Sequence, residues 1–221
     1  MKMHMPKAVI FDMDGLMFDT ERLGVDAWLH AAQKMNLNFT KELALKIIGV
    51  SWDLARKMMF DELGEFDFGK ARTAWQESIN DQIEKGGIPI KPGLIELLSF
   101  LDEMKLQKAI ATSSLRESVM FYLKNAGIDE RFDVIVTGDM VSRGKPAPDI
   151  YLLAAELLGV NPEECMVLED SINGVKSASA AKIPTVMIPD LIPSNAQIDA
   201  LLHAKLDSLS DVISLLKEQN Q

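Results

Sequence analysis

The hydrophobic and polar positions of this chain change period several times, and the changes lay out its elements. Ala8-Val9-Ile10-Phe11 is a short, unbroken apolar run, the pattern of a strand buried on both faces. It stops abruptly at Asp12-Met13-Asp14-Gly15. Beyond Phe18 the period becomes helical. Leu23, Ala27, Trp28, Ala31 and Met35 predict a helix from Glu21 to about Asn36, capped by Asp19 or Thr20. Three more helices are predicted: Thr40 to Ile48, ended by Gly49; Trp52 to Leu63, ended by Gly64; and about Gly69 to Lys85, broken by Gly86-Gly87. No strand pattern interrupts this stretch.

From Pro92-Gly93 onward strands and helices alternate. Predicted strands are Lys108 to Ala111, Asp133 to Thr137, Met166 to Leu168 and Thr185 to Ile188. The helices between and after them are about Gly93 to Met104, Arg116 to Ala126 closed by Gly127, one following Asp149 to about Leu158-Gly159, Ile172 to Ala181, and Leu209 to Lys217. The alternation predicts an α/β fold with a doubly wound parallel sheet. Residues 19–87 then form an all-helical domain inserted into an α/β domain made of 1–18 and 88–221.

Such sheets bind ligands at the carboxyl ends of their strands. The polar residues there are Asp12 and Asp14, then Thr112, Ser113 and Ser114, then Glu169 and Asp170, with Lys145 in the loop after the third strand. Asp12 and Asp14 project to one side if the strand stays extended, which suits a divalent cation with oxygen ligands. A plain turn, with Asp and Gly supplying only backbone geometry, is the competing reading. Thr112 to Ser114 are either a helix cap or an anion site of hydroxyls and N–H groups. Lys145 alone reads as a solvated loop lysine. Together, acids, one Mg2+, a lysine and a Ser/Thr cradle fit phosphoryl transfer, with a carboxylate nucleophile as one covalent route.

Composition narrows the partners. The 221 residues are 48% hydrophobic, enough for a sizeable core. A net charge of −10 disfavours nucleic acid and anionic membranes, but not a small anionic substrate held by a local cation. No apolar run is long enough to span a membrane. The first strand begins almost at the N-terminus, so no cleaved leader is expected. The one cysteine, Cys165, lies in an apolar run and reads as a buried thiol. With no disulfide possible within the chain, a cytoplasmic location and a monomer are expected. His4, His30 and His203 are too scattered to suggest a histidine metal site.

Four stretches resemble the motifs of the haloacid dehalogenase-like hydrolase superfamily, in order along the chain: Asp12-Met13-Asp14-Gly15, Ile110-Ala111-Thr112, Gly144-Lys145-Pro146 and Leu168-Glu169-Asp170-Ser171. Phe18-Asp19-Thr20-Glu21, Gly144 to Asp149 and Leu168 to Val175 are similar to the branch holding β-phosphoglucomutase and small sugar-phosphate phosphatases. The resemblance implies a Rossmann-like core with a helical cap and a Mg2+-dependent reaction on a small phosphorylated metabolite through an aspartyl-phosphate. It implies Asp12 as nucleophile and metal ligand, and Asp14 as general acid/base whose carbonyl also binds metal. Thr112, with neighbouring N–H groups, would hold the phosphoryl group, and Lys145 would orient Asp12. Asp170 would complete the metal site with Glu169, the latter either as a direct ligand or from behind. It also implies a cis bond at Lys145-Pro146. Glu21 and Trp52 are the cap residues expected to face substrate, Trp52 equally suiting cap core. Mutases of the branch carry a His near the position of Gly24 and an Arg at that of Trp52. Their absence favours hydrolysis, with a sugar phosphomutase as the alternative. A non-catalytic binding protein on the same fold is the third reading.

Overall fold

A computed structural model describes residues 5–48, 50 and 52–219. His4, Gly49 and Ser51 lie outside the described residues. The chain folds as two compact units, one formed up to Phe18 and from Ile90 onward, the other spanning Asp19–Pro89. The insert therefore ends two residues later than the Gly86-Gly87 break suggests. Asp19 N–H donates to Pro89 O, while Phe18 and Ile90 pair as an antiparallel bridge in the first unit.

The first unit carries six strands: β1 (Ala8–Phe11), β2 (Gln107–Ala111), β3 (Val134–Val136), β4 (Cys165–Glu169), β5 (Thr185–Met187) and β6 (Ala204–Lys205). All pair in parallel in the order β3-β2-β1-β4-β5-β6. The insert contributes helices α1 (Thr20–Lys34), α2 (Lys41–Lys46), α3 (Trp52–Leu63) and α4 (Phe68–Gly86). Those of the first unit are α5 (Leu94–Glu103), α6 (Arg116–Ala126), α7 (Asp149–Leu158), α8 (Ile172–Ala180), α9 (Ala196–Asp199) and α10 (Leu209–Gln219). Ala8, Ile10, Ala109, Ala111 and Val167 pack with Tyr151 and Ala154 of α7 and Ala178 of α8 in one core cluster. Val9 and Phe11 alternate out of phase with that set and are equally buried, so β1 is covered on both faces.

The strand order reverses direction at β1 and β4, where doubly wound sheets open a crevice. Phe11 is level with Ile110 of β2 and with Leu168 of β4. This register brings the strand ends, with Asp12, Thr112 and Glu169-Asp170, to one rim. The Lys145-Pro146 bond is cis, as the resemblance implies. Two short elements, β6 and α9, were not predicted.

The second unit has its own core. Trp28, Leu43, Ile47, Ala55, Met59 and Ala71 are buried together. Trp28 stacks on Phe39 and Trp75, each at 5.7 Å. Trp75 Nε1 donates to the carbonyl of the buried Gly24 (2.9 Å), tying α4 to α1. Caps match the sequence only in part. Thr40 and Asp67 accept from the first turns of α2 and α4, but Asp19 makes no cap bond and accepts instead from Arg22 (2.7 Å). Among the described residues no helix is long and apolar enough to cross a membrane.

Candidate active site

The extended backbone of β1 ends at Phe11, and the next residues turn. Met17 and Phe18 N–H groups both donate to Met13 O, and Gly15 adopts φ 84°, a conformation that suits glycine. Asp12 and Asp14 each have their own hydrogen-bond partners. Asp12 Oδ1 accepts from Lys145 Nζ at 2.5 Å. Asp14 Oδ2 accepts from the hydroxyls of Ser114 (2.7 Å) and Thr112 (3.2 Å).

Thr112 is buried and Ser114 partly so, while Ser113 is exposed. Thr112 N–H donates to Val136 O and Ser114 N–H donates to Thr112 Oγ1. Those two N–H groups are spent within the loop and the sheet, so the hydroxyls are what this loop turns toward Asp14. Gly138, at the end of β3, lets its own loop press beneath: a Cβ there would sit 2.3 Å from Ser113 O.

Lys145 is not a solvated loop lysine. Its side chain is only 6% exposed and bridges Asp12 to Glu169 Oε1 at 2.7 Å. Glu169 is completely buried. Its Oε1 also accepts from Tyr151 Oη (2.8 Å), and its Oε2 accepts from Ser171 N (2.8 Å) and Ser171 Oγ (3.0 Å). Ser171 in turn caps α8 by accepting from Gly174 N. Four donors fill the accepting capacity of a carboxylate. Glu169 therefore stands behind Lys145 with each oxygen engaged by two donors, which suits the second of the two expectations for it, a place behind the site. Gly174 makes this possible, because a Cβ there would fall 1.5 Å from Glu169 Oε1.

The electrostatics follow from burial. Desolvation pushes the Asp12 carboxyl up to about 8, with Lys145 acting against it and Glu169 and Asp14 adding to it. Burial also works against the charge on Glu169, but Lys145, Ser171 and Tyr151 outweigh it and hold the group below its usual range. Desolvation opposes the charge on Lys145 as well, yet Asp12 and Glu169 raise it well above its ordinary value. One ammonium thus faces two buried carboxylates, Asp12 and Glu169. Burial likewise pushes the free thiol of Cys165 to about 11, leaving it inert.

Asp12 is short of positive charge, and Asp170, 5% exposed, follows Glu169 on the neighbouring strand end. Among the described residues no group of three or more His, Cys, Asp or Glu is gathered closely enough to hold a metal ion. Mg2+ does not require one. It is commonly held by one or two carboxylates, waters and substrate phosphate oxygens. Asp12, Asp170 and a backbone carbonyl fit that demand in donor type, and the unbalanced charge on Asp12 fits it electrostatically.

The remaining candidates lie in the insert. Glu21 is in the first turn of α1. Trp52 starts α3 and is 39% exposed, with its ring 5.3 Å from Trp75 and the Arg72 guanidinium 4.5 Å above it. Trp52 is thus joined to the aromatic core of the insert while keeping an open face. Tyr151 was missed by sequence reasoning. Its one signal is a phenol placed among the buried positions of α7, where an aliphatic side chain would serve packing alone.

A parallel doubly wound sheet, with acids at the ends of its central strands β1 and β4 and a buried lysine bridging them from the loop after β3, defines the class as an α/β enzyme. Residues 9–188 match the family described as haloacid dehalogenase-like hydrolase, and the chain belongs to that hydrolase family. It is 33% identical over 219 residues to a phosphorylated carbohydrates phosphatase of Thermotoga maritima, covering 96% of this chain and 99% of that protein. It is 33% identical over 205 residues to hexitol phosphatase A of Escherichia coli, covering 90% and 91% respectively. A crystal structure of a hydrolase of this family from Deinococcus radiodurans, with bound phosphate and sodium, superposes with a TM-score of 0.81 at 26% identity. It covers 98% of this chain and 97% of that one.

Proposed function

We propose that this enzyme is a Mg2+-dependent phosphatase that hydrolyses a small phosphorylated metabolite, a sugar phosphate in the first instance, through an aspartyl-phosphate on Asp12. The observation that carries the reading is the Lys145 bridge: a buried ammonium 2.5 Å from Asp12 and anchored on the far side by Glu169. That arrangement aims Asp12 Oδ1 and lowers the cost of its negative charge, acting against burial, which favours the protonated carboxyl. The phosphatases among its relatives support the substrate class.

An oxygen of Asp12 attacks phosphorus, forming an acyl phosphate as the ester P–O bond breaks. Asp14, steadied by Thr112 and Ser114, gives its proton to the departing oxygen. It then takes a proton from a water that attacks the same phosphorus, and phosphate leaves Asp12. The Thr112 hydroxyl is assigned to the phosphoryl oxygens in the loaded state. Mg2+ held by Asp12, Asp170 and the Asp14 carbonyl supplies, when bound, charge against those oxygens. Hydrolysis is favoured over phosphomutase chemistry by Gly24 and Trp52, which pack with Trp75 and bring neither His nor Arg at those positions.

A panel of phosphorylated metabolites and a chromogenic monoester, assayed with and without Mg2+, tests the reading. Phosphate release that needs Mg2+ is the expected outcome; no release from any ester by folded enzyme would sink it. Conversion of a β-hexose 1-phosphate to the 6-phosphate without net release would instead identify a mutase. Variation of Glu21 and Trp52 across the same panel tests their expected part in leaving-group choice.

A further inference from the structure

Tyr151 belongs to none of the four motifs, yet it touches both groups that control Asp12. It is completely buried, and its ring sits in the core cluster with Ile10, Ala111 and Val167. Its hydroxyl donates to Glu169 Oε1 at 2.8 Å, and its ring centroid lies 4.8 Å from Lys145 Nζ. The ammonium is therefore held on three sides, by Asp12 Oδ1, by Glu169 Oε1 and by the face of an aromatic ring.

Glu169 Oε1 is the shared acceptor, taking one bond from Tyr151 and one from Lys145. A phenol dipole on that oxygen satisfies part of its demand for positive charge. Without it, Glu169 Oε1 draws on Lys145 alone, and the ammonium shifts its balance from Asp12 toward Glu169. The ring face does the complementary task, giving a desolvated ammonium an attractive surface where it meets no carboxylate.

We propose that Tyr151 is a positioning residue for phosphoryl transfer, keeping the Lys145 ammonium on Asp12 through its hydroxyl on Glu169 and its ring beside Nζ. This rests on the reading of Asp12 as nucleophile. It predicts a loss in the chemical step and not in substrate binding, since Tyr151 is sealed from solvent.

Tyr151→Phe keeps the ring and deletes the hydroxyl; Tyr151→Leu deletes both. Each is assayed for kcat and KM on a chromogenic monoester, for its melting curve, and for the rate at which an amine-acylating reagent modifies Lys145, read by mass spectrometry. Tyr151→Phe should lose about tenfold in kcat with KM within about twofold, because one hydrogen bond to a charged group is removed. Tyr151→Leu should lose about a further tenfold, and Lys145 should be acylated faster in both. A purely structural tyrosine would lower the melting temperature while leaving kcat of the folded enzyme and Lys145 labelling unchanged, and that result overturns the proposal. So does a loss confined to KM, or equal losses in both variants. If Tyr151→Leu does not fold, Tyr151→Phe decides alone. If the wild type shows no phosphatase activity, the function reading fails. Lys145 labelling then still decides the positioning claim, and equal labelling in wild type and Tyr151→Phe refutes it.

Discussion

Replacing Asp12 by Asn should shift the stability of the metal-free protein in the variant's favour as pH rises. Asp12 is 7% exposed, and burial together with Glu169 and Asp14 outweighs Lys145, raising its carboxyl to about 8. In the unfolded chain the same group titrates near about 4. Between these values the folded state binds a proton that the unfolded state lacks, so stability from this group is full below about pH 4 and is lost as pH rises toward 8. Each pH unit in that window is worth about 1.4 kcal/mol. From pH 5 to pH 7 the wild type should therefore lose up to about 3 kcal/mol relative to Asp12→Asn, which carries no titrating group there. Urea unfolding of both proteins at several pH values, with chelator present, measures the difference directly, and other titrations cancel between them. Adding Mg2+ at pH 7 should restore the wild type far more than the variant. A wild-type minus variant difference that stays flat from pH 5 to pH 7 would refute the charge imbalance at Asp12, and with it the structural argument for a cation there.

Three further outcomes follow from the same geometry. Gly174→Ala would place a methyl group 1.5 Å from Glu169 Oε1, so Glu169 must leave Lys145; kcat should fall at least about tenfold and the melting temperature should drop. Ser114→Ala removes the 2.7 Å bond that steadies Asp14, and kcat should fall about tenfold for esters of alkyl alcohols but much less for nitrophenyl esters, whose leaving groups need no proton. Trp75→Phe deletes the bond to the Gly24 carbonyl inside the insert and should cost about 1 kcal/mol in urea unfolding.

The parts of this molecule that were legible in the sequence are those fixed by local pattern. Ala8 to Phe11 is apolar without interruption because β1 is buried on both faces, and the abrupt Asp12 marks where that burial ends. Gly93, Gly127 and Gly159 sit at helix ends in left-handed conformations, which is why boundaries there were readable to a residue or two. β6, two residues long, and α9, four residues long, offer too few positions for any period to show. Side-chain partnership was less legible. Asp12 and Asp14 read as a pair, but the sequence did not show their partners, Lys145 for one and Thr112 with Ser114 for the other, which come from distant loops. Asp170 read as a metal ligand and Glu169 as either a ligand or a residue behind the site, and only the tertiary arrangement of Lys145, Tyr151 and Ser171 shows the donors that engage Glu169. Asp19 read as a cap because its position is right, but a nearby guanidinium competes for it.

The most direct test of the account is to look for the phosphoryl group on Asp12. Asp14→Ala enzyme, in which hydrolysis of the intermediate is slowed, is mixed with a nitrophenyl phosphate and Mg2+, quenched in acid within milliseconds, digested and examined by mass spectrometry. The account predicts one phosphoryl group on the peptide containing Asp12, absent in the Asp12→Asn, Asp14→Ala double variant. Phosphate release by the wild type with no adduct at any time, or undiminished release by Asp12→Asn, would contradict it.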